Sequence, residues 1–145
     1  MKVTLYNRNM LMNGISILHI DDSAEYLEFT RSMLVSADPN YQIESAPTID
    51  QARKKLILFR DRKKSYNVIL MDYDLGGSTN GLELVRNYLK DDIEARVIML
   101  SAYEDEFIKN SAKALGVASY LTKKEVMYDC FILHKLILKN LRPST

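Results

Sequence analysis

Five short apolar runs, each followed by a longer segment with helical periodicity, limit this chain to a small set of folds. The runs occupy residues 15–20, 41–46, 67–71, 96–100 and 118–121. Apart from the second, they are almost continuously apolar and do not alternate with polar residues. That pattern is typical of strands buried on both faces. We therefore expect a parallel β-sheet.

The segments between the runs predict helices on both faces of this sheet. Their apolar residues recur at intervals of three and four, as on one side of an amphipathic helix. Asn80 suits a helix N-cap, and Gly116 suits a left-handed helix end. Five strand-helix units with short connections predict right-handed crossovers and a doubly wound α/β domain. The predicted inner stripes are Ala24, Leu27, Leu34 and Ala37; Ile49, Ala52, Leu56 and Phe59; Leu82, Val85 and Leu89; Phe107, Ile108, Ser111 and Leu115; and Met127, Phe131, His134, Leu138 and Leu141.

Length and composition exclude several classes of protein. The chain has 145 residues, with 20 basic and 19 acidic side chains, so its formal net charge is +1. This balance argues against a strongly basic nucleic-acid binder, and no apolar run could span a bilayer. The single cysteine, Cys130, cannot form an internal disulfide and is expected to be a small buried side chain. We expect a cytoplasmic protein with an extension at 1–14, one domain at 15–145, and no nucleic-acid or membrane partner.

Polar residues stand where the predicted strands end. Asp21 and Asp22 follow the first strand, Asp72 the third and Ser101 the fourth, and Lys123 comes two residues after the fifth. Ligands of open parallel sheets bind at this edge. Crowded carboxylates raise one another's pKa unless a cation neutralises them, and Mg²⁺ suits carboxylates combined with phosphate oxygens. The pattern predicts phosphoryl chemistry with an aspartate nucleophile, stabilised by Mg²⁺, the lysine and the hydroxyl.

Four stretches carry a resemblance to a known family: 17–22 (ILHIDD), 68–75 (VILMDYDL), 97–102 (VIMLSA) and 120–123 (YLTK). In this order, with helices between them, they resemble the chemotaxis-type receiver domain of two-component response regulators. The resemblance covers about residues 15–141. It implies a flavodoxin-like sheet with strand order 2-1-3-4-5. It also implies a stand-alone phosphorelay protein that reacts only at its own aspartate and is otherwise not an enzyme.

The resemblance implies a role for each matching carboxylate. Asp72 becomes the phosphoacceptor, because it ends the third strand and has Leu75 three residues on. Asp21 and Asp22 would hold Mg²⁺ together with Asp72 and the backbone carbonyl of Asp74.

The other matching residues receive roles in catalysis and signalling. Lys123 becomes the family's lysine and Ser101 its switch hydroxyl, while Ala102 leaves room for the phosphoryl group and Tyr120 is the aromatic that moves on activation. Asp74 and Tyr103 occupy positions that tune the lifetime of the phosphoryl group. The implied donor is a sensor histidine kinase or a histidine phosphotransfer protein. The implied target is a protein that binds the surface formed by the fourth helix, fifth strand and fifth helix.

Two departures from the family pattern lie beside the site. Gly76 stands where the family has proline, and the loop that ends at Gly81 is about one residue longer. The family's Lys-Pro pair is Lys123-Lys124 here. Because a cis bond without proline costs about 3–4 kcal/mol, we expect a trans bond.

Three other functions remain open on the sequence. The chain could be a receiver-like module that binds partners without phosphorylation. Asp72-Tyr-Asp74 also resembles the Asp-x-Asp signature of haloacid-dehalogenase-type phosphatases, although that signature normally follows the first strand. A flavodoxin-like electron carrier is disfavoured, because Asp21 and Asp22 would repel a flavin phosphate. His19 and His134 are assigned no role, and the basic segment 53–64, with a local charge of +6, is interpreted as a solvated helix face.

Overall fold

The computed structural model describes residues 14–76, 80–89, 95–129 and 131–141. Residues 1–13 of the predicted extension, and Cys130, lie outside these ranges. Within them, no helix is both long and apolar enough to cross a membrane. The strands are β1 (Ile15–Ile20), β2 (Tyr41–Ala46), β3 (Val68–Asp72), β4 (Arg96–Ser101) and β5 (Ser119–Thr122). The helices are α1 (Ala24–Ala37), α2 (Ile49–Asp61), α3 (Gly81–Leu84), α4 (Glu106–Ala114), α5 (Lys123–Tyr128) and α6 (Phe131–Asn140).

The five strands form one parallel sheet in the order β2-β1-β3-β4-β5. The predicted fold class and strand order are therefore confirmed, and the strand boundaries differ from the prediction by no more than one residue. In the register, Asp72 lies beside Leu100 and Ser101 lies beside Thr122. This alignment brings the carboxyl ends of β3, β4 and β5 to the same edge.

Both faces of the sheet are covered by apolar side chains, as the continuous apolar runs predict. Every residue of β3 is buried. Ile69 and Met71 belong to the core shared with α2, α3 and α4, whereas Val68 and Leu70 belong to the core shared with α1, α5 and α6. Burial of both alternating sets holds the strand rigidly in its register.

The predicted fifth helix is wrong in its continuity and partly wrong in its inner stripe. Asp129 has an extended backbone between α5 and α6, and its carboxylate accepts a hydrogen bond from the backbone N–H of Phe131. The buried stripe lies one residue earlier than the predicted one over most of this region, so Met127, Phe131 and Leu138 are exposed. The buried residues of this region are Val126, Leu133, Ile137 and Leu141.

Two other predicted stripe residues are also exposed. Phe107 is 79% exposed, because α4 buries only the narrow stripe of Ile108 and Ala112. Ala24 is exposed at the first turn of α1. That helix buries Tyr26, Leu27, Thr30 and Leu34, of which only Leu27 and Leu34 were in the predicted stripe.

The predicted helix ends around the third and fourth helices are confirmed. The Asn80 side chain caps α3 by accepting a hydrogen bond from the backbone N–H of Glu83. Beyond α3 the helix continues as a π-helical turn over Val85–Leu89. Gly116 follows α4 with a φ of +88°, a conformation that glycine adopts without steric cost.

Gly81 brings the start of α3 against the end of β3. A Cβ atom added at Gly81 would lie 2.5 Å from the backbone oxygen of Asp72 and 2.9 Å from Cγ of Met71. Because the first of these atoms belongs to the backbone, a side chain here can be accommodated only if the strand or the helix shifts. The glycine therefore helps to set the position of Asp72.

We expect Gly81→Ala to destabilise the protein by about 1–3 kcal/mol, the usual cost of overpacking a close contact. Urea unfolding followed by circular dichroism measures this free energy. Asn87→Ala, at an exposed position just beyond the same helix, is the control and should change stability by less than about 0.5 kcal/mol. Equal stability of the two variants would contradict the close approach at Gly81.

Candidate functional site

The carboxyl edge of the sheet brings together the polar residues predicted from the strand ends. Asp21 and Asp22 directly follow β1, Asp72 is the last residue of β3, Ser101 is the last residue of β4, and Lys123 directly follows β5. Asp21, Asp72 and Ser101 are buried, and Asp22 is exposed at the rim.

Three carboxylates form a compact cluster at this edge. One carboxylate oxygen from each of Asp21, Asp22 and Asp72 lies within 4.8 Å of the other two. The turn after β1 orients the first of them, because the backbone N–H of Ser23 donates a 2.8 Å hydrogen bond to Oδ1 of Asp21. Oxygen ligands at this spacing fit a small divalent cation such as Mg²⁺.

Burial and the crowding of negative charge both act on the pKa of Asp72. Burial and the nearby charge of Asp21 raise the pKa of Asp72 to about 7, against the opposing effect of Lys123. Any added positive charge would therefore stabilise the ionised form of the Asp72 carboxyl. This supports the fit of a divalent cation to the donor set.

Lys123 is the cation that the chain itself supplies to the cluster. Its Nζ lies 2.7 Å from Oδ2 of Asp21 and donates a 3.2 Å hydrogen bond to Oδ2 of Asp72. Burial disfavours the charged ammonium, but the hydrogen bonds and charges of these two carboxylates outweigh that effect and raise the pKa of Lys123. Lys123 is therefore held in its charged form between Asp21, a metal-ligand candidate, and Asp72, the phosphoacceptor candidate.

The loop after β4 connects Ser101 to the exposed face of α4 and β5. The hydroxyl oxygen of Ser101 accepts a 3.2 Å hydrogen bond from the backbone N–H of Tyr103, which leaves the hydroxyl proton free to donate elsewhere. The hydroxyl of Tyr120 donates a 2.6 Å hydrogen bond to the carbonyl of Tyr103. Ala102, between them, is exposed. The two predicted switch residues, Ser101 and Tyr120, thus contact the same loop residue.

The loop after β3 departs from the family pattern but still lies against the site. The backbone N–H of Asp74 is 3.4 Å from Oδ1 of Asp72, and Asp74 forms an antiparallel bridge with Asn80 that draws the loop together. Gly76 has a φ of +74°, and a Cβ added there would lie 3.5 Å from Oδ2 of Asp22. The Lys123–Lys124 peptide bond is trans, as predicted.

Tyr26 was not among the residues predicted for the site, and His19 was assigned no role. The ring of Tyr26 lies beneath Lys123, with Nζ 4.6 Å from the ring centroid, and burial together with Asp21 and Asp72 raises the pKa of its hydroxyl. His19 is fully buried beside the cluster, where burial and then the charge of Lys123 lower its pKa to about 3. A signal for Tyr26 existed in its position four residues after Asp22, which places it in the first turn of α1.

His134, which was assigned no role, takes part in packing between elements. It lies far along the chain from the site, in α6, and its Nδ1 forms a 2.8 Å hydrogen bond with the hydroxyl of the buried Tyr41. This contact ties α6 to the start of β2.

Comparison with known proteins gives consistent matches. The family model of the response regulator receiver domain matches residues 17–130. The transcriptional regulatory protein ComA of Bacillus subtilis is 29% identical over 109 residues, which cover 75% of this chain and 49% of ComA. The chain therefore spans about half the length of this curated relative.

Solved structures share the fold. The response regulator TrrA of Thermotoga maritima, in complex with Mg²⁺ and BeF, superposes with a TM-score of 0.68 at 25% identity, covering 88% of this chain and 99% of that one. A CheY-like receiver domain protein from Methanospirillum hungatei gives a TM-score of 0.67 at 20% identity, covering 87% and 95% of the two chains. Together with the site geometry and the family match over most of its length, these findings show that the chain belongs to the response regulator receiver domain family.

Proposed function

We propose that Asp72 accepts a phosphoryl group from a phosphohistidine and that the chain passes this signal to another protein by contact. The observation that carries the proposal is the placement of Asp72, buried at the end of β3 between the Lys123 ammonium and two further carboxylates. The receiver unit is proposed to extend over 15–145, beyond the matched residues 17–130.

In the proposed reaction, a carboxylate oxygen of Asp72 attacks the phosphorus of the donor. The new oxygen–phosphorus bond forms as the phosphorus–nitrogen bond to the donor histidine breaks, and the histidine nitrogen leaves with the bonding electron pair. Lys123 neutralises charge on the transferred group from its position 3.2 Å from the Asp72 carboxylate. The free hydroxyl proton of Ser101 is proposed to donate a hydrogen bond to a phosphoryl oxygen.

The three carboxylates are proposed to hold Mg²⁺, with the backbone carbonyl of Asp74 as a further ligand. Bound there, Mg²⁺ would supply positive charge to the transferring phosphoryl group. The Mg²⁺ and BeF bound by the Thermotoga relative support this assignment. Reaction at Asp72 alone, without turnover of outside substrates, is the expected extent of the chemistry.

The surface formed by α4, β5 and the predicted fifth helix, which the structure divides into α5 and α6, is proposed to bind the downstream protein. Tyr103 lies on the loop before α4, and Phe107 lies in the first turn of α4. Their side chains are 70% and 79% exposed, although burial of aromatic side chains is strongly favourable in free energy. A groove of about 280 Å³ between α4 and β5 is lined by residues that include Lys109, Lys113 and Tyr120. Because Tyr120 bonds to the same loop as Ser101, phosphorylation can be communicated to this surface. A cytoplasmic location, where a reducing environment suits the single cysteine, completes the proposal.

Incubation with Mg²⁺ and a small acyl phosphate should add one phosphoryl group to the protein. Asp72→Asn should abolish the gain, because an amide is not a nucleophile for this reaction. Intact-mass spectrometry measures the gain. Asp61→Asn, at an exposed position at the end of α2, is the control and should be phosphorylated as the native chain is.

A gain that survives Asp72→Asn would contradict the assignment of the acceptor. No gain in the native chain would favour the alternative of a receiver-like module that works without phosphorylation.

Addition of millimolar Mg²⁺ should raise the melting temperature of the native protein, because a ligand that binds only the folded state stabilises it. Asp22→Asn should remove most of this increase, since one of the three carboxylates is lost. Differential scanning fluorimetry provides the measurement, with Asp61→Asn as the matched control. An unchanged increase in Asp22→Asn would place the metal elsewhere.

In chelator-treated protein, Asp72→Asn should increase stability, by about 1–3 kcal/mol at pH 8. The raised pKa of Asp72 means that its charge destabilises the folded state. This penalty is absent below the pKa of Asp72 in the unfolded chain, near 4. It grows between that pH and about 7, and it is fully present at higher pH. The difference between variant and native chain should therefore be small at pH 4 and large at pH 8. Urea unfolding at both pH values tests it, and a difference that shrinks with rising pH would contradict the account.

A further inference from the structure

Tyr26 has a place in the site that neither the sequence motifs nor the receiver family assigns to it. Its ring is buried on α1, and the Nζ of Lys123 lies over the ring face, 4.6 Å from the centroid. An ammonium at this distance is attracted to the electron-rich face of an aromatic ring. The side chain of Lys123 is 18% exposed, so water screens this attraction only in part.

The position of the Tyr26 ring is fixed by the same turn that orients a metal-ligand candidate. The backbone N–H of Ser23 donates to the carboxylate of Asp21, and the hydroxyl oxygen of Ser23 accepts a 3.2 Å hydrogen bond from the backbone N–H of Tyr26. The ring also packs edge-on with His19 and against Phe29, each at a centroid separation of 5.9 Å. Contacts on several sides hold the ring still.

Lys123, in contrast, has a long flexible side chain whose partners change during the reaction. In the structure it is paired with Asp21 at 2.7 Å and Asp72 at 3.2 Å. Both carboxylates also belong to the cluster that fits a divalent cation, and one of them is the proposed acceptor. Binding of the metal and transfer of the phosphoryl group both alter these ion pairs, whereas neither alters the aromatic ring.

We propose that Tyr26 is a positioning residue that holds the Lys123 ammonium beside Asp72 through a cation–π contact. The inference rests on the proposed phosphoryl transfer for its kinetic consequence, but the contact itself is independent of that function. The aromatic ring of Tyr26 makes this contact, and the hydroxyl group is not needed for it. Phenylalanine should therefore replace tyrosine at position 26, and leucine should not.

Phosphorylation by a small acyl phosphate provides the kinetic test. Tyr26→Leu should react about 5- to 30-fold more slowly, the range expected for loss of a partly desolvated cation–π contact. Tyr26→Phe should react within about twofold of the native rate. Tyr41→Leu is the matched control, because it also removes a buried tyrosine but one that contacts α6 rather than Lys123, and it should react at the native rate. Equal rates for Tyr26→Leu and the native chain, or an equally slow Tyr26→Phe, would overturn the proposal.

A spectroscopic test does not depend on phosphorylation or on the folding of the leucine variant. In protein with ¹³C-labelled lysine, the ε-methylene protons of Lys123 should be shifted upfield by the ring current of Tyr26, and Lys123→Arg identifies the signal by its loss. Tyr26→Phe should retain the upfield shift. Absence of such a signal in the native protein would overturn the contact. An upfield signal in a protein that the acyl phosphate does not phosphorylate would support the contact but contradict the proposed function.

Discussion

Repulsion among three carboxylates at one edge of the sheet is the constraint on which the site depends. Asp21 and Asp72 are buried there, and their mutual repulsion is partly relieved by the ammonium of Lys123. Burial of Asp72 and the nearby charge of Asp21 raise its pKa to about 7, against the opposing effect of Lys123. Added positive charge would stabilise the ionised form of this carboxylate. In the proposed function, this is the physical basis for coupling metal binding to phosphoryl acceptance.

The remainder of the fold serves to hold these charges close together. Strand β3 is buried throughout and packs on both faces, so the proposed acceptor at its end is fixed by two hydrophobic cores. Gly81 allows α3 to approach the last residue of that strand. The proposed switch residues Ser101 and Tyr120 both bond to Tyr103, on the loop that leads to the exposed end of α4. The buried sheet and this loop therefore meet at one side of the proposed acceptor.

The sequence predicted the sheet and the carboxylate cluster because both follow from simple patterns. Continuous apolar runs identify doubly buried strands, and parallel strands bring their carboxyl ends to one edge, so Asp72 and Lys123 could be paired although 51 residues separate them. The helices were harder to predict, because neighbouring apolar residues allow an apolar stripe to be drawn in two adjacent phases. Met127 and Leu138 were expected in the core, but the preceding residues, Val126 and Ile137, are buried instead. No apolar pattern marks the extended backbone at Asp129, which divides α5 from α6. Tyr26 was missed for a related reason: the predicted stripe passed through Ala24 and Leu27, whereas the adjacent Tyr26 ring is buried against the site.

A crystal structure of the chain with Mg²⁺ and beryllium fluoride, which mimics a phosphoryl group, tests the central claim most directly. The account predicts beryllium bonded to a carboxylate oxygen of Asp72, with Mg²⁺ bound by the oxygens of Asp21, Asp22 and Asp72. Lys123 and Ser101 should each lie within hydrogen-bond distance of a fluorine atom. Beryllium fluoride bonded to another residue, or Mg²⁺ bound away from the three carboxylates, would contradict it.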